Sequence, residues 1–206
     1  MKLFVKVCGI TNVDDALEVR SAGADAIGLM LYKESPRYVD IDLALKIYNQ
    51  LENSLEIVLV FVNAKEGFVR QCFELMPNAI AQFHGNESEV YCSSFGRDYI
   101  KAIGIKDQKD LSSIDQFPSA KMILLDSFDP KLLGGTGASF DWKLLNKGIQ
   151  YSYILAGGLN AENIELALST ANCSGVDVSS GVESEPRKKS AKKIHNFVNK
   201  VRNFNG

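Results

Sequence analysis

The N-terminal segment reads KLFVKVCGITNVDDALEVRSAGADAIGLM from residue 2 to residue 30. Two apolar runs of strand length, residues 3–8 and 25–31, enclose a stretch in which apolar side chains recur at helical spacing. Asn12 is placed to cap that helix, and two aspartates follow it where the first turn favours negative charge. The segment therefore predicts a strand, a helix and a second strand in succession.

The same alternation continues towards the C-terminus. Further apolar runs of strand length lie at residues 55–62, 79–83, 99–103, 122–126, 152–156 and 175–178. Helical spacing fills most of the intervals, for example after Asn160, a second candidate cap, whereas residues 107–119 and 127–148 are less regular. All five prolines fall in the connections, which supports the boundaries.

The number of strands favours one architecture. Eight strands in 206 residues give about 26 residues per β–α unit, close to the low end for a (β/α)8 barrel. A doubly wound open sheet is the rival, but it more often has five or six strands. No linker or break in composition divides the chain. We therefore expect an α/β protein with a single (β/α)8 barrel domain over residues 1–206.

The composition excludes several classes of protein. With 46% apolar and 23% charged residues, the chain has enough apolar material for a globular core. Its net charge of −2 gives no bulk attraction to nucleic acid, and no apolar run approaches the roughly 20 residues of a membrane span. The N-terminus lacks the apolar stretch and cleavage site of a signal peptide. We expect a cytoplasmic protein with neither a nucleic-acid nor a membrane partner.

The cysteines and the C-terminal charges carry no further site. The four cysteines are far apart and there are only two histidines, so neither a disulfide framework nor a metal site is expected. Residues 187–206 hold seven Lys or Arg side chains around an apolar stripe at helical spacing. This pattern predicts a last helix whose charges face solvent, and nucleic-acid binding would need more than one such helix.

Two turns of small residues follow the last two predicted strands. They read AGGLN at residues 156–160 and DVSSGVE at residues 177–183. Glycine lets a backbone approach a ligand closely, and barrels often bind phosphate in the loops after strands 7 and 8. Each turn could also be an ordinary glycine-rich connection. The candidate phosphate contacts are Gly157, Gly158, Ser179, Ser180 and Gly181.

Cys8 and Asp126 each end a predicted strand, where barrels carry their chemistry. If Val5 and Val7 face the helices, Cys8 points into the barrel near its mouth, where a thiol of lowered pKa could act as a general base. Asp126 closes an apolar strand, and a desolvated carboxyl group suits a general acid. The alternatives are a buried cysteine that acts as a small apolar side chain and an aspartate that caps a helix.

Four more polar residues are placed by the barrel. Arg37 lies after strand 2, where its guanidinium suits a carboxylate or phosphate, although loop arginines are more often only solvated. His84 follows strand 4 and is a candidate substrate contact. Strands 1 and 8 adjoin when the barrel closes, so Lys6 and Asp177 could form a buried ion pair below Cys8, unless Asp177 turns outward. The charge of Lys6 would favour the Cys8 thiolate.

From residue 6 to residue 183 the chain resembles the phosphoribosylanthranilate isomerase family of tryptophan biosynthesis. The motifs that carry the resemblance stand in the family's order: KVCGIT, SPRYV, FVN, AQFHG, LLDS, GGTGASFDW, LAGGL and GVDVSSGVE. LAGGL alone is shared with other phosphate-binding barrels, whereas the motifs in series are specific. The chain departs from the family at GLMLYKESPR (usually a GFVF-type strand), AQFHG (usually VQLHG) and EPRKKS (often a Gly–x–Lys–Asp stretch).

The resemblance implies a (β/α)8 barrel and an Amadori rearrangement of N-(5-phosphoribosyl)anthranilate that uses neither a metal nor an organic cofactor. It implies that Cys8 is the general base, that Asp126 is the general acid, and that Arg37 meets the anthranilate carboxylate. The last two turns match the phosphate site. The expected partner is this small-molecule substrate, and the oligomeric state stays open, a monomer included.

Two other functions stay open at this point. Another phosphosugar barrel, such as a lyase or a ProFAR-type isomerase, would use a different acid and base and would act on an aminoimidazole substrate. A non-catalytic barrel would only bind a phosphorylated metabolite, although Cys8, Asp126 and Arg37 together argue against it. A turnover assay separates the three.

Overall fold

Parallel strands close into a barrel in a computed structural model that describes residues 2–51, 54–127, 142–146 and 151–204. Each strand pairs with the next along the chain, and β8 pairs with β1. The strands are β1 Phe4–Cys8, β2 Ala26–Met30, β3 Glu56–Phe61, β4 Ile80–Phe83, β5 Tyr99–Ile105, β6 Met122–Ser127, β7 Tyr153–Leu155 and β8 Gly175–Val178. The predicted (β/α)8 barrel is confirmed, and the open sheet is excluded.

Helices follow most of the strands and cover the outside of the barrel. Within the described residues the α-helices are α1 Val13–Ser21, α2 Ile41–Leu51, α3 Glu66–Leu75, α4 Glu89–Ser93, α5 Ile164–Thr170 and α6 Ala191–Asn203. A hairpin of β9 Glu183–Glu185 and β10 Lys188–Lys189 precedes α6. The predicted cap of α1 is confirmed, since the Asn12 side chain accepts a hydrogen bond from the Asp15 N–H at 2.8 Å.

The two intervals with less regular apolar spacing, 107–119 and 127–148, contain 3-10 helices in the part that the structure describes. Gln108–Gln116 and Trp142–Asn146 are 3-10 helices, and the rest of the interval 128–150 lies outside the described residues. The prediction that Asn160 caps the next helix is wrong, because α5 begins at Ile164. The Asn160 side chain instead accepts hydrogen bonds from the backbone of residues 162 and 163, which forms a turn ahead of the helix.

Side chains alternate between two apolar layers. Val5 and Val7 of β1 pack in the layer between barrel and helices, as the alternation predicted. The next residues along each strand fill the barrel interior. The interior layer consists of Cys8, Ala26, Met30, Val58, Val60, Ile100, Ala102, Leu124, Ile154 and Ala156.

The last helix is placed as its apolar stripe predicted, with one exception among the charges. Its apolar side chains Ile194, Phe197, Val198 and Val201 are buried. Lys189, which the sequence assigned to the solvated face, is buried instead. The hairpin that precedes α6 turns this side chain inward, where a carboxylate meets it. No helix in the described ranges is long and apolar enough to cross a membrane.

A packed interior predicts an unequal response to two leucine truncations. Leu124 is fully buried inside the barrel, whereas Leu166 on α5 is 64% exposed. We expect Leu124→Ala to lower the free energy of unfolding by about 2–5 kcal/mol because it leaves a cavity. Leu166→Ala should change it by less than about 0.5 kcal/mol. Urea titrations of both variants test this, and equal losses would contradict a tightly packed barrel interior.

Candidate active site

Four polar side chains from different strand ends and connections meet at the barrel mouth. Cys8 at the end of β1, Arg37 after β2, His84 after β4 and Asp126 on β6 line one cavity. The other residues of its wall are Gly9, Met30, Ser35, Gln82, Asp177 and Ser179. A thiol, a carboxyl group, an imidazole and a guanidinium therefore face one space, which is the arrangement that the sequence predicted for Cys8, Arg37, His84 and Asp126.

Cys8 occupies its position because β2 carries a glycine opposite it. Gly28 pairs with Cys8 across the sheet, and a Cβ atom on Gly28 would lie 2.5 Å from the Cys8 Sγ. Burial raises the pKa of the Cys8 thiol above its ordinary value, and attraction to Lys6 only partly offsets this. The lowered pKa that the sequence set as a condition for a general base is thus not found, because burial favours the neutral thiol.

The predicted ion pair below Cys8 is confirmed. Lys6 and Asp177 are register partners on β1 and β8, and Lys6 Nζ lies 2.9 Å from Asp177 Oδ2. Burial alone would lower the pKa of Lys6, but attraction to Asp177 and Cys8 outweighs it and raises that pKa, so Lys6 is a cation. Among the described residues, the buried Asp177 Oδ1 has no hydrogen-bond partner. This oxygen is therefore an unused hydrogen-bond acceptor on a residue that lines the cavity.

Asp126 is held by its own strand and faces the histidine after β4. Its Oδ1 accepts the Ser127 N–H at 2.8 Å, and its Oδ2 lies 3.4 Å from His84 Nε2. Gln82 Nε2 lies 3.1 Å from His84 Nδ1 and fixes the ring from the other side. The alternative that Asp126 caps a helix concerns residues 128–141, which lie outside the described residues.

Arg37 has a partner that the sequence did not predict. Its Nε and Nη2 donate to the two carboxylate oxygens of Glu183 at 2.7 and 2.8 Å. Lys189 Nζ donates to the same carboxylate at 3.1 Å. Glu183 ends the DVSSGVE motif, in which the sequence predicts only the serines and the glycine as contacts, and Lys189 lies in a run of lysines that the sequence predicts to face solvent. The fixed guanidinium still lines the cavity.

The two glycine-rich turns form the wall of an adjoining cavity. Gly157 and Gly158 have φ of +84° and +64°, a left-handed conformation that glycine adopts without strain. They line this cavity with Ser179 and Ser180 and with the two aspartates Asp126 and Asp177. Gly181 packs against the Leu159 backbone, where a Cβ atom would clash, and so holds the two turns together.

A larger cleft lies beside the mouth. It has a volume of about 640 Å³ and lies between the connections after β4 and β5. Its buried charges are already paired, since Lys101 Nζ lies 2.8 Å from Glu87 Oε2 and the same carboxylate accepts the N–H groups of Asn63 and Gly85. In the described ranges, no group of three or more His, Cys, Asp or Glu side chains could hold a metal ion.

A parallel eight-stranded barrel with ionisable groups at its mouth, beside glycine-rich turns after β7 and β8, has the layout of the (β/α)8 barrel enzymes, which frequently bind phosphate at those turns. A family described as N-(5'-phosphoribosyl)anthranilate isomerase matches residues 5–200. The chain belongs to this family, which confirms the resemblance drawn from the motifs.

Relatives and solved structures agree over nearly the whole chain. The N-(5'-phosphoribosyl)anthranilate isomerase of Neisseria meningitidis serogroup A is 42% identical over 198 residues, 96% of this chain and 95% of the relative. That of Cellvibrio japonicus is 43% identical over 95% of this chain and 92% of the relative. The Thermotoga maritima crystal structure superposes with a TM-score of 0.89 at 34% identity, covering 97% of this chain and 98% of that one.

One related structure contains a ligand. A phosphoribosylanthranilate isomerase in complex with reduced 1-(o-carboxyphenylamino)-1-deoxyribulose 5-phosphate superposes with a TM-score of 0.84. The two sequences are 32% identical, and the superposition covers 97% of this chain and 98% of the related chain.

The raised pKa of Cys8 has a measurable consequence. Iodoacetamide reacts with the thiolate, so we expect the alkylation rate of Cys8 in the ligand-free protein to rise about tenfold per pH unit from pH 7, with no plateau below about pH 9. Peptide mass spectrometry measures the rate at Cys8 alone, and Cys8→Ser is the blank. A plateau below pH 8 would mean that the thiolate already predominates in the empty site.

The buried pair predicts a stability cost when one partner is removed. Lys6→Met leaves Asp177 buried without its cation, so the free energy of unfolding at pH 7 should fall by about 3–5 kcal/mol. Removing both charges in Lys6→Met with Asp177→Asn should recover most of that loss. Lys2→Met at the exposed pair with Asp25 is the control and should cost less than about 1 kcal/mol. Urea titrations in which Lys6→Met matches the wild type would contradict the pair's role.

Proposed function

We propose that the protein converts N-(5-phosphoribosyl)anthranilate into 1-(2-carboxyphenylamino)-1-deoxyribulose 5-phosphate by general acid–base catalysis, a step of tryptophan biosynthesis. The observation that carries this proposal is that Cys8 and Asp126 line one cavity with Arg37 at the barrel mouth. Membership of the isomerase family supports the same reaction.

The chemistry needs an acid and a base on opposite sides of the sugar. Asp126 donates a proton to the furanose oxygen, the bond between that oxygen and C1 breaks, and the nitrogen lone pair forms a C1–N iminium ion. The iminium acidifies the C2–H bond, and the Cys8 thiolate removes this proton to give an enolamine. Protonation at C1 with loss of the hydroxyl proton gives the ketone. The reaction is an isomerisation, so atoms and electrons balance without a co-reactant.

Electrostatics explain how a thiol with a raised pKa can serve as the base. A group with a raised pKa is a strong base once it is ionised. Lys6 and Lys189 attract the negative charge of the thiolate and act to lower the pKa of Cys8. The iminium ion adds a third positive charge beside Cys8 at the moment when its basicity is needed.

The two ends of the substrate supply its orientation. We assign the phosphate to the turns with Gly157, Gly158, Ser179 and Ser180, with Gly181 packing them together, because these turns line the adjoining cavity. Arg37 takes the anthranilate carboxylate with the N–H groups that Glu183 leaves open. His84 contacts the substrate beside Asp126. Binding at both ends holds the reacting atoms in position beside Asp126 and Cys8, and this orientation lets a weak acid and a weak base be effective.

The proposed partner is a small molecule alone. The net charge of −2 gives no general attraction to nucleic acid. We propose the cytoplasm as the place of the reaction and a protein that needs neither a metal nor an organic cofactor for this step.

Two substitutions at the mouth test the roles. Cys8→Ala and Asp126→Asn should each lower kcat by at least about a hundredfold while substrate still binds, because each removes one proton-transfer group. Loss of anthranilate fluorescence after adding protein to freshly made phosphoribosylanthranilate measures turnover. Cys72→Ala on α3 and the exposed Asp98→Asn change the same chemical groups away from the mouth and should keep turnover near wild type.

The outcomes separate the functions that the sequence left open. A wild-type protein that acts only on an aminoimidazole phosphosugar would indicate a ProFAR-type isomerase, and one that binds phosphosugars without turnover would indicate a binding protein. Near-wild-type turnover in Cys8→Ala or Asp126→Asn would remove that residue from the mechanism.

A further inference from the structure

A buried cluster of three charges lies at the edge of the mouth. Glu183 accepts both hydrogen bonds from Arg37 and a third from Lys189, at distances of 2.7 to 3.1 Å. The Lys189 side chain is fully buried, that of Glu183 is 7% exposed and that of Arg37 is 12% exposed. Two cations therefore share one carboxylate away from bulk water.

This cluster has more positive than negative charge. Burial alone would raise the pKa of Glu183, but Arg37 and Lys189 outweigh it and lower that pKa, so the carboxylate is ionised. Asp15 is the other carboxylate at Lys189, and it accepts the backbone N–H of that residue and an amide N–H of Asn12. Burial outweighs the attraction of Glu183 and lowers the pKa of Lys189, because an ammonium group in a desolvated place is costly without a full partner. An anion entering the neighbouring cavity would complete the cluster.

Lys189 also reaches the turn after β8. Its Nζ donates to the Ser179 carbonyl at 3.0 Å, and Ser179 lines both cavities of the mouth. The buried ammonium group of Lys189 thus makes two contacts. One is with the Glu183 carboxylate, which binds Arg37, and the other is with the turn to which we assign the phosphate. It is the junction between the two ends of the site.

We propose that Lys189 is a positioning residue that joins the two anion-binding ends of the site. Through Glu183 it holds Arg37, and through Ser179 it holds the phosphate turn, so the separation of the two anchors is fixed. The charge of Lys189 gives the cluster of Arg37, Lys189 and Glu183 one excess positive charge. A substrate with a carboxylate and a phosphate neutralises this excess. This role rests on the proposed function, since it concerns how that substrate is bound.

Lys189→Met tests the role by removing the charge and both hydrogen bonds with little change in volume. We expect KM for phosphoribosylanthranilate to rise at least about tenfold while kcat stays within about threefold. Binding of both ends weakens, whereas the acid and base stay in place and Lys6, the stronger of the two lysine attractions on the thiolate, remains. Inhibition constants for anthranilate and for inorganic phosphate, each a probe of one end, should both rise. The melting temperature should stay within about 4 °C of wild type, because the burial cost of the ammonium group disappears with its hydrogen bonds.

Lys188→Met is the matched control. It removes the same charge one residue away, from a pair with Glu185 in which Lys188 is 67% exposed. Each constant should stay within about twofold of wild type, since an exposed pair contributes little. Lys189→Arg keeps the charge and a donor and should restore part of the affinity.

Several results would overturn this role. An unchanged KM in Lys189→Met, a loss confined to kcat, or an equal loss in Lys188→Met would each contradict it. If Lys189→Met does not fold, Lys189→Gln keeps a donor without the charge, and the same constants decide. A wild type without activity on phosphoribosylanthranilate would refute the proposed function instead, and calorimetric titration with inorganic phosphate would then still compare Lys189→Met with wild type.

Discussion

Closure of the barrel between β1 and β8 is the constraint on which the site depends. The register of this pair sets Lys6 against Asp177 and therefore requires the charged pair in the interior. Because side chains alternate along a strand, the same register turns Cys8 towards the mouth, beside the turn that begins at Ser179. A shift of one residue would send Cys8 to the helices and leave Lys6 without its partner.

Buried charges at the mouth lie in contact with opposite charges, and these contacts set the chemistry. Lys6 pairs with Asp177, and Glu183 pairs with both Arg37 and Lys189. Burial raises the pKa of Cys8 and so favours the neutral thiol. A cationic intermediate beside Cys8 favours the thiolate, and this cation forms only when substrate is bound. Cys8 therefore becomes a strong base only during the reaction.

The parts that the sequence predicted well depend on local pattern. The strands were found because apolar runs of strand length recur between helical segments, and Cys8 and Asp126 were found because alternation along a strand fixes the direction of a side chain. Lys189 was misassigned and Glu183 overlooked because their pairing depends on the hairpin before α6, whose lysines resemble a solvated surface in sequence. The start of α5 was misplaced since Asn160 caps a turn.

The central claim is that Cys8 and Asp126 face the same sugar from opposite sides. A crystal structure of this protein with the reduced product analogue 1-(o-carboxyphenylamino)-1-deoxyribulose 5-phosphate measures it most directly. We expect the Cys8 Sγ within about 3.5 Å of C2 and an Asp126 carboxyl oxygen within about 3 Å of the former ring oxygen, on the opposite face. Both groups on one face, or either beyond the reach of a proton transfer, would contradict the account.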